Sequence, residues 1–251
     1  MSLFDLTGKT AVVTGAGRGL GEAIALGLAR AGADIALVTN QTPADKTAAA
    51  IRELGRKAIT IQTDIADRTK LAGIVDRTVE ELGRIDILVN NAGIIRRTPA
   101  AEHSYEDWQD VLDVNLNSVF LLSQLAGKHM IEQGSGKIIN IASMLTFQGG
   151  INVPGYTSSK HAVAGLTKAL ASEWAAKGLQ VNAIAPGYMS TDNTEALRED
   201  PVRSAQILQR IPAGRWGTSQ DLIGPAVFLA SSASDYMNGH ILAVDGGWLV
   251  R

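Results

Sequence analysis

The sequence predicts an α/β protein, a single doubly wound parallel sheet with helices on both faces. Two observations lead to this prediction. Short runs rich in Val and Ile alternate with longer helical patterns along the whole chain of 251 residues. Most of these runs are almost continuously apolar, which is typical of strands buried on both faces of a parallel sheet. No Pro-, Gly- or Ser-rich linker divides the chain, so residues 1–251 are predicted to form one domain.

The predicted elements follow one another in a regular order. We expect strands at Thr10–Thr14, Asp34–Thr39, Ala58–Thr63, Ile85–Asn90, Lys137–Ala142, Gln180–Ala185 and Ile241–Asp245. The helical patterns cover Leu20–Ala31, Ala44–Leu54, Arg68–Leu82, Tyr105–Gln133, Thr157–Lys177 and Gln220–Ala230. The charged segment around residues 191–214 breaks the alternation and ends near Pro212. Because ligands bind outside the carboxyl ends of parallel strands, this insertion is expected to act as a substrate lid.

Composition excludes several classes of protein. The net charge of −2 argues against a nucleic-acid-binding protein, which usually shows a basic excess. The absence of cysteine excludes disulfides, thiolate zinc sites and cysteine nucleophiles. The histidines lack metal-ligand spacing, so no metal is expected. The N-terminus carries no signal-peptide pattern and no apolar run is long enough to span a membrane, so we expect a cytoplasmic protein.

A glycine-rich turn, Thr14-Gly-Ala-Gly-Arg-Gly-Leu-Gly21, joins the first predicted strand to the first predicted helix. Gly15, Gly19 and Gly21 allow a tight turn, the close approach of a pyrophosphate and close packing of helix on strand. The amides at the start of the helix would face the same ligand. Glycine-rich turns are common, but one placed between a strand and a helix predicts a dinucleotide site.

Tyr156 and Lys160 lie four residues apart, and Ser143 precedes the tyrosine by thirteen residues. A spacing of four puts two side chains on one face of a helix. An ammonium group near a phenol favours the phenolate and lowers the pKa of the tyrosine toward neutral pH. Alone, Tyr-x-x-x-Lys is usually part of a surface helix. Together with the glycine-rich turn, it indicates hydride transfer between a nicotinamide cofactor and a carbonyl or alcohol.

These motifs resemble those of the short-chain dehydrogenase/reductase family from end to end. The resemblance covers Thr14–Gly21, Asn90-Asn-Ala-Gly93, the four residues Asn115, Ser143, Tyr156 and Lys160, and Pro186-Gly187 with Thr191. It implies a Rossmann-type sheet of about seven strands and an NAD(P)-dependent oxidoreductase. It also implies a homotetramer assembled through the helices Tyr105–Gln133 and Thr157–Lys177.

The resemblance gives each catalytic residue a role. Tyr156 is expected to be the general acid/base, and Ser143 to hydrogen-bond the substrate oxygen. Lys160 is expected to hold the nicotinamide-ribose hydroxyls and to lower the pKa of the tyrosine. Asn115 is expected to hold a water that links Lys160 to solvent. A turn-forming serine and a packing asparagine are the alternatives for single residues.

Cofactor contacts are expected along several segments. They are Gly15, Arg18, Gly19, Leu20, Gly21, Asn40, Asp64, Ile65, Asn91, Ala92, Gly93, Tyr156, Lys160, Pro186, Gly187, Met189 and Thr191. Asp64 would hold the adenine amino group; its alternative is to cap the helix before Arg68. The end of the second strand is neutral at Thr39 and Asn40, whereas an acid would select NAD and an arginine NADP. NAD is favoured and NADP is left open, since Arg18 could reach a 2′-phosphate.

The substrate-side loops resemble those of the family's sugar-acid dehydrogenases. This resemblance implies 2-deoxy-D-gluconate or 2-keto-3-deoxy-D-gluconate as substrate. Arg96 and Arg97 follow the fourth strand, where a guanidinium could grip a carboxylate, and Arg96 is the residue we expect to do so. Gln148 is expected to contact a sugar hydroxyl, beside Ser143 and Tyr156. The alternatives are a 3-oxoacyl-carrier-protein reductase, a polyol dehydrogenase and a non-catalytic NAD(P)-sensing protein.

Overall fold

In the computed structural model, which describes residues 2–251, seven parallel strands form one sheet. The strands are β1 (Thr10–Thr14), β2 (Asp34–Thr39), β3 (Ala58–Gln62), β4 (Ile87–Asn90), β5 (Gly136–Ile141), β6 (Leu179–Pro186) and β7 (Ile241–Val244). Their order across the sheet is β3-β2-β1-β4-β5-β6-β7. The predicted doubly wound parallel sheet is confirmed. The strand order reverses between β1 and β4, which opens a crevice at their carboxyl ends.

Helices cover both faces of the sheet. They are α1 (Gly19–Arg30), α2 (Asp45–Glu53), α3 (Leu71–Leu82), α4 (Tyr105–Leu112), α5 (Ser118–Gln133), α6 (Pro154–Trp174), α7 (Glu195–Glu199), α8 (Pro201–Arg210) and α9 (Ile223–Ala230). Successive residues of a strand point to opposite faces. In β1, Val13 therefore packs in the core beneath α1 and α9, while Val12 packs in the core beneath α3, α5 and α6. None of the helices described within residues 2–251 is both long and apolar enough to cross a membrane.

Three elements differ from the prediction. The helix expected from Thr157 begins at Pro154, because a proline fits the first helical position, and Tyr156 therefore lies in its first turn. The helix expected over Tyr105–Gln133 is interrupted by a π-helical stretch at Asp113–Asn117. The segment expected as an irregular insertion contains α7 and α8.

An ionic cluster lies at the amino ends of β1 and β4, on the side of the sheet opposite to the crevice. The carboxylate of Asp86, whose side chain is 5% exposed, accepts hydrogen bonds from Arg84 at 2.6 and 2.7 Å. It also accepts the main-chain N–H of Thr10 at 3.0 Å and lies 3.4 Å from Lys9 Nζ. This carboxylate therefore ties two central strands together on the side away from the crevice.

Candidate active site

The crevice holds a cavity of about 470 Å³. It extends from the glycine-rich turn, past the ends of β2 and β4, to the residues that follow β5 and β6. Of the residues predicted to contact a cofactor, all except Asp64 line this cavity. They are Gly15, Arg18, Gly19, Leu20, Gly21, Asn40, Ile65, Asn91, Ala92, Gly93, Tyr156, Lys160, Pro186, Gly187, Met189 and Thr191.

The glycine-rich turn has room for a phosphate group. Gly15 and Gly19 have φ angles of +67° and +60°, in the left-handed region that favours glycine. A Cβ on Gly21 would collide with the carbonyl oxygen of Gly15, whereas a Cβ on Gly19 would meet nothing within 4 Å. The first turn of α1 receives no side-chain cap from Arg18, so its amides are available to an anion. The residues present fit the pyrophosphate of a dinucleotide.

Hydrogen bonds hold the loop after β4 against this turn. Thr14 Oγ1 accepts the main-chain N–H groups of Asn91 and Ala92, each at 3.0 Å. Asn91 Nδ2 donates in return to the carbonyl oxygens of Thr14 at 2.9 Å and Gly15 at 3.3 Å. No separate role for Thr14 was predicted, because a threonine that ends a strand has no signature in the sequence. It fixes the shape of the cavity wall.

Ser143, Tyr156 and Lys160 meet at one end of the cavity. The side chain of Ser143 acts on the hydroxyl of Tyr156 and lowers its pKa. Lys160 Nζ lies 5.5 Å from the centroid of the Tyr156 ring and donates to the carbonyl oxygen of Ile141 at 2.6 Å. The structure thus brings together the three side chains that the sequence singled out for acid–base chemistry.

Burial controls the protonation of this group. It lowers the pKa of the Lys160 ammonium to about 8. It raises the pKa of Tyr156, and the hydrogen bond from Ser143 and the positive charge of Arg97 offset part of that rise. We expected Lys160 to lower the pKa of the tyrosine. In this structure its ammonium donates to the carbonyl oxygen of Ile141. The groups that partly offset the raised pKa of Tyr156 are Ser143 and Arg97.

Asn115 lies in the π-helical stretch and is fully buried. Its Oδ1 accepts the N–H of Ile94 at 2.8 Å, and its Nδ2 donates to Ile94 O at 2.9 Å and to Ser159 Oγ at 3.3 Å. Both amide hydrogens are therefore used. A Cβ on Gly93 would lie 3.3 Å from Asn115 Oδ1 and 3.8 Å from Lys160 Nζ, so the glycine admits both side chains. Because both amide hydrogens are used, Asn115 can hold the expected water only through an oxygen atom that accepts a hydrogen bond from it.

The two arginines after β4 have different surroundings. Arg96 forms ion pairs at 3.3 Å with Asp107 and with Asp110, both on α4. It does not line the cavity, although we expected this residue to reach the substrate. Arg97 is exposed, and its charge acts on Tyr156. Neighbouring side chains of an extended segment point to opposite sides. Neither arginine lines the cavity, and the second is the one whose charge acts on the catalytic tyrosine.

Gln148 and Asp64 lie outside the cavity lining. Gln148 Oε1 accepts from Arg210 Nη2 at 3.4 Å and from Trp248 Nε1 at 3.2 Å. The guanidinium and the indole have only hydrogens to offer, so the amide of Gln148 is left as a donor. Asp64 Oδ1 accepts the N–H of Ala66 at 3.0 Å in a local turn. It does not cap the helix before Arg68, because Asp67 does so through Thr69 N.

An ion pair spans the cofactor end of the cavity. Arg18 Nη1, in the glycine-rich turn, lies 2.7 Å from Asp192 Oδ2, at the start of the segment 191–214. Both side chains are about two-thirds exposed, at 67% and 65%. The sequence analysis singled out Arg18 and missed Asp192, since no local pattern links residues so far apart in the chain. Within the described residues, no group of three or more His, Cys, Asp or Glu side chains could hold a metal ion.

Known proteins are similar to this chain in sequence and in fold. Residues 9–202 match the family of short chain dehydrogenases. The chain is 57% identical to the 2-dehydro-3-deoxy-D-gluconate 5-dehydrogenase of Escherichia coli K12, covering 100% of this chain and 99% of the relative. It is 59% identical to the enzyme of that name from Bacillus subtilis 168, over 99% and 97%. A solved structure from Beutenbergia cavernae, provisionally described as an NAD(P)-dependent gluconate 5-dehydrogenase and holding NADP at low occupancy, superposes with a TM-score of 0.96. That structure is 53% identical over 100% of both chains.

Proposed function

Because the chain belongs to the short-chain dehydrogenase family, we propose that it interconverts the hydroxyl and the ketone at C5 of 2-dehydro-3-deoxy-D-gluconate. The chain is an NAD(P)-dependent oxidoreductase acting on a sugar acid. What we propose beyond this is the carbon atom that is oxidised, C5. The observation that carries it is the identity of 57–59% with enzymes of this one activity, over 99–100% of this chain.

The residues of the cavity are suited to this reaction. Bound NAD(P) supplies the hydride acceptor or donor. In the oxidative direction the substrate hydroxyl gives its proton to the Tyr156 phenolate while the hydrogen on the same carbon leaves as hydride, and the carbon becomes a ketone. Ser143, whose side chain acts on Tyr156, holds the substrate oxygen in place. In reduction the Tyr156 hydroxyl returns the proton.

Lys160 and Asn115 support the tyrosine in this proposal. Lys160 turns from Ile141 O toward the nicotinamide ribose and holds its hydroxyls. Asn115 fixes the loop at Ile94 through its side chain and holds a water beside Lys160 through an oxygen atom. The closeness of Gly93 to both side chains supports this relation. The glycine-rich turn and the loop after β4 hold the pyrophosphate, with the adenine end near Ile65, which lines the cavity and follows Asp64 in the chain.

We assign the substrate carboxylate to Arg97 rather than to Arg96. Of the two guanidinium groups, that of Arg97 is the one whose charge acts on the pKa of Tyr156. A planar guanidinium beside the reacting tyrosine can orient an acidic sugar by two parallel hydrogen bonds. The free amide hydrogens of Gln148 are a second contact, to a sugar hydroxyl. The segment 191–214 is the proposed lid, and Thr191, Asp192 and Thr194 already line the cavity.

The chain is proposed to accept both cofactors and to favour NAD. Thr39 and Asn40 line the cavity at the end of β2 and carry no charge that would repel a 2′-phosphate. Arg18 is the cation within reach of that phosphate, and Asp192 neutralises it at 2.7 Å. A 2′-phosphate would therefore have to compete with Asp192 for Arg18.

Assembly as a homotetramer is also proposed. The helices named for it present apolar side chains to solvent: Tyr105 at the start of α4 is 72% exposed and Phe120 on α5 is 41% exposed. Burying such groups between copies is favourable. Light scattering coupled to gel filtration should give four times the chain mass of 26.5 kDa. A mass of one or two chains would contradict the proposal.

A substrate panel tests the proposed reaction. The purified protein is assayed with 2-dehydro-3-deoxy-D-gluconate, 2-deoxy-D-gluconate, D-gluconate and the uncharged polyol D-glucitol, each with NAD and NADP. We expect the highest kcat/KM with the first compound and a product carrying a new ketone at C5 by NMR. Oxidation of 2-deoxy-D-gluconate at C3 with higher efficiency, or higher efficiency with D-glucitol or with a 3-oxoacyl thioester in the reductive direction, would overturn the assignment.

A further inference from the structure

Thr146 connects two of the three catalytic residues through the main chain. It ends a short 3₁₀ helix, Met144–Thr146, that follows Ser143, and it is 7% exposed. Its Oγ1 donates to the carbonyl oxygen of Lys160 at 3.1 Å and accepts the N–H of Ser143 at 3.3 Å. A hydroxyl has one hydrogen and two lone pairs, so a single group serves both partners.

Lys160 has a second connection nearby, to the end of β5. Its Nζ donates to the carbonyl oxygen of Ile141, the last residue of β5, so α6 is joined to β5 through the lysine side chain and to the following loop through its backbone. The first connection is the one that Lys160 gives up when it holds the ribose hydroxyls in the proposed reaction. The bond to Thr146 does not involve the ammonium, and it is available throughout the catalytic cycle.

We propose that Thr146 is a positioning residue whose hydroxyl keeps Ser143 in register with Tyr156 and Lys160 while the lysine binds cofactor. The inference rests on the proposed roles of those three residues. Ser143 Oγ is already oriented by the N–H of Leu145 at 3.2 Å, in a capping box that requires Thr146 at its third position. Loss of the Thr146 hydroxyl would therefore release the main chain of Ser143 on one side and of Lys160 on the other.

Thr146→Val and Thr146→Ser test this proposal. Valine keeps the shape and removes the hydroxyl, whereas serine keeps the hydroxyl and removes a methyl group. We expect Thr146→Val to lower kcat by about 10- to 100-fold, since small misplacements of reacting groups are costly. The dissociation constant for NADH should change by no more than about 3-fold, because the hydroxyl contacts only the protein. Thr146→Ser should restore most of kcat.

Thr78→Val is the matched control. Thr78 is fully buried on α3, and its Oγ1 donates to the carbonyl oxygen of Ile74 at 2.7 Å, far from the cavity. If Thr146→Val loses thermal stability as Thr78→Val does and keeps its kcat, Thr146 is a structural residue and the proposal is overturned. If Thr146→Val does not fold, Thr146→Ala provides the same comparison with Thr146→Ser.

A second measurement needs no turnover and separates this proposal from the proposed reaction. Ultraviolet difference titration of Tyr156, with Tyr156→Phe as the blank, reports how closely Ser143 approaches the phenol. The hydrogen bond from Ser143 lowers the pKa of Tyr156, so Thr146→Val should move the midpoint to higher pH. An unchanged midpoint would overturn the positioning role. Inactivity of the wild type toward every sugar acid, with a shifted midpoint, would overturn only the proposed substrate.

Discussion

The ammonium group of Lys160 donates a hydrogen bond to the carbonyl oxygen of Ile141 at 2.6 Å. Ile141 lies directly before the loop that carries Ser143. The lysine is therefore bound to the backbone and not to the phenol of Tyr156 in this state. Its side chain is buried, and burial lowers the pKa of the ammonium to about 8. Keeping the Lys160 ammonium charged, as binding of a ribose requires, therefore lowers the stability of the folded protein near neutral pH.

Tyr156→Phe should nearly abolish turnover and leave cofactor binding intact. The change removes only the hydroxyl, so packing is kept while proton transfer, worth about 10²- to 10⁴-fold, is lost. Steady-state kinetics and NADH fluorescence titration give the two quantities. Tyr236→Phe, which alters a fully exposed tyrosine, is the control. A Tyr156→Phe enzyme that keeps more than about half of the wild-type rate would exclude the tyrosine as acid/base.

Lys160→Met should change the pH dependence of stability. The folded-state pKa of about 8 lies below the unfolded value of 10.5, so between these values the unfolded chain binds more protons. The free energy of unfolding of the wild type should therefore rise relative to that of Lys160→Met as the pH increases from 7 to 10. The rise should be at most about 3 kcal/mol. Urea unfolding at several pH values measures it, and a constant difference would contradict the assigned pKa.

Sequence and structure agree best where local geometry requires a particular residue. The glycines of the turn are needed at positive φ or at close contacts, and Tyr156 and Lys160 have a fixed spacing along α6. Family membership and the parallel sheet were accordingly predicted from sequence and are confirmed. The individual catalytic and binding roles stay predictions.

Contacts between residues that are far apart in the chain could not be predicted from the sequence. The sequence around Arg96 does not show that Asp107 and Asp110 pair with it. Its position in the chain therefore could not distinguish its role from that of Arg97. Asp192 and Thr146 were missed for the same reason, because aspartate and threonine in loops have no signature. The π-helical stretch at Asn115 depends on tertiary hydrogen bonds to Ile94, which helical periodicity does not reveal.

Asp192→Asn should increase the efficiency of NADP relative to NAD. It releases Arg18 from an ion pair at 2.7 Å and leaves the guanidinium for the 2′-phosphate. Exposed pairs are worth up to about 1 kcal/mol, so the ratio of kcat/KM values should rise by up to about 5-fold. Asn40→Asp places a carboxylate at the end of β2 and should shift the ratio toward NAD. Asp76→Asn, on an exposed position of α3, is the control. A ratio that stays unchanged in both Asp192→Asn and Asn40→Asp would mean that the ribose lies elsewhere.

Asp86→Asn should destabilise the fold without changing the kinetic constants. The carboxylate is almost fully buried and accepts bonds from Arg84 and from Thr10 N at the edge of the sheet away from the cavity. Its cationic partners are about two-fifths exposed, which weakens each pair, so we expect a loss of about 1–3 kcal/mol in the free energy of unfolding. Glu81→Gln, which breaks the exposed pair with Arg77, should cost much less. Equal losses would show that Asp86 acts only as a surface charge.

Arg97→Met should weaken the binding of sugar acids selectively. A charge-assisted pair with a carboxylate is worth about 1.5–3 kcal/mol, so KM for 2-dehydro-3-deoxy-D-gluconate should rise by about 10- to 100-fold. KM for D-glucitol, which has no carboxylate, should hardly change. The rising limb of the pH profile for oxidation should also move to higher pH, because the positive charge of Arg97 lowers the pKa of Tyr156.

Arg96→Met separates the two arginines. Its guanidinium is engaged by Asp107 and Asp110 on α4, so removing it should raise KM by no more than about 3-fold and leave the pH profile in place. Arg77→Met, on the exposed face of α3, controls for the loss of one positive charge. A larger selective loss in Arg96→Met than in Arg97→Met would restore Arg96 as the carboxylate contact. Equal losses on both substrates in Arg97→Met would make Arg97 a structural residue, because only a direct contact distinguishes an acid from a polyol.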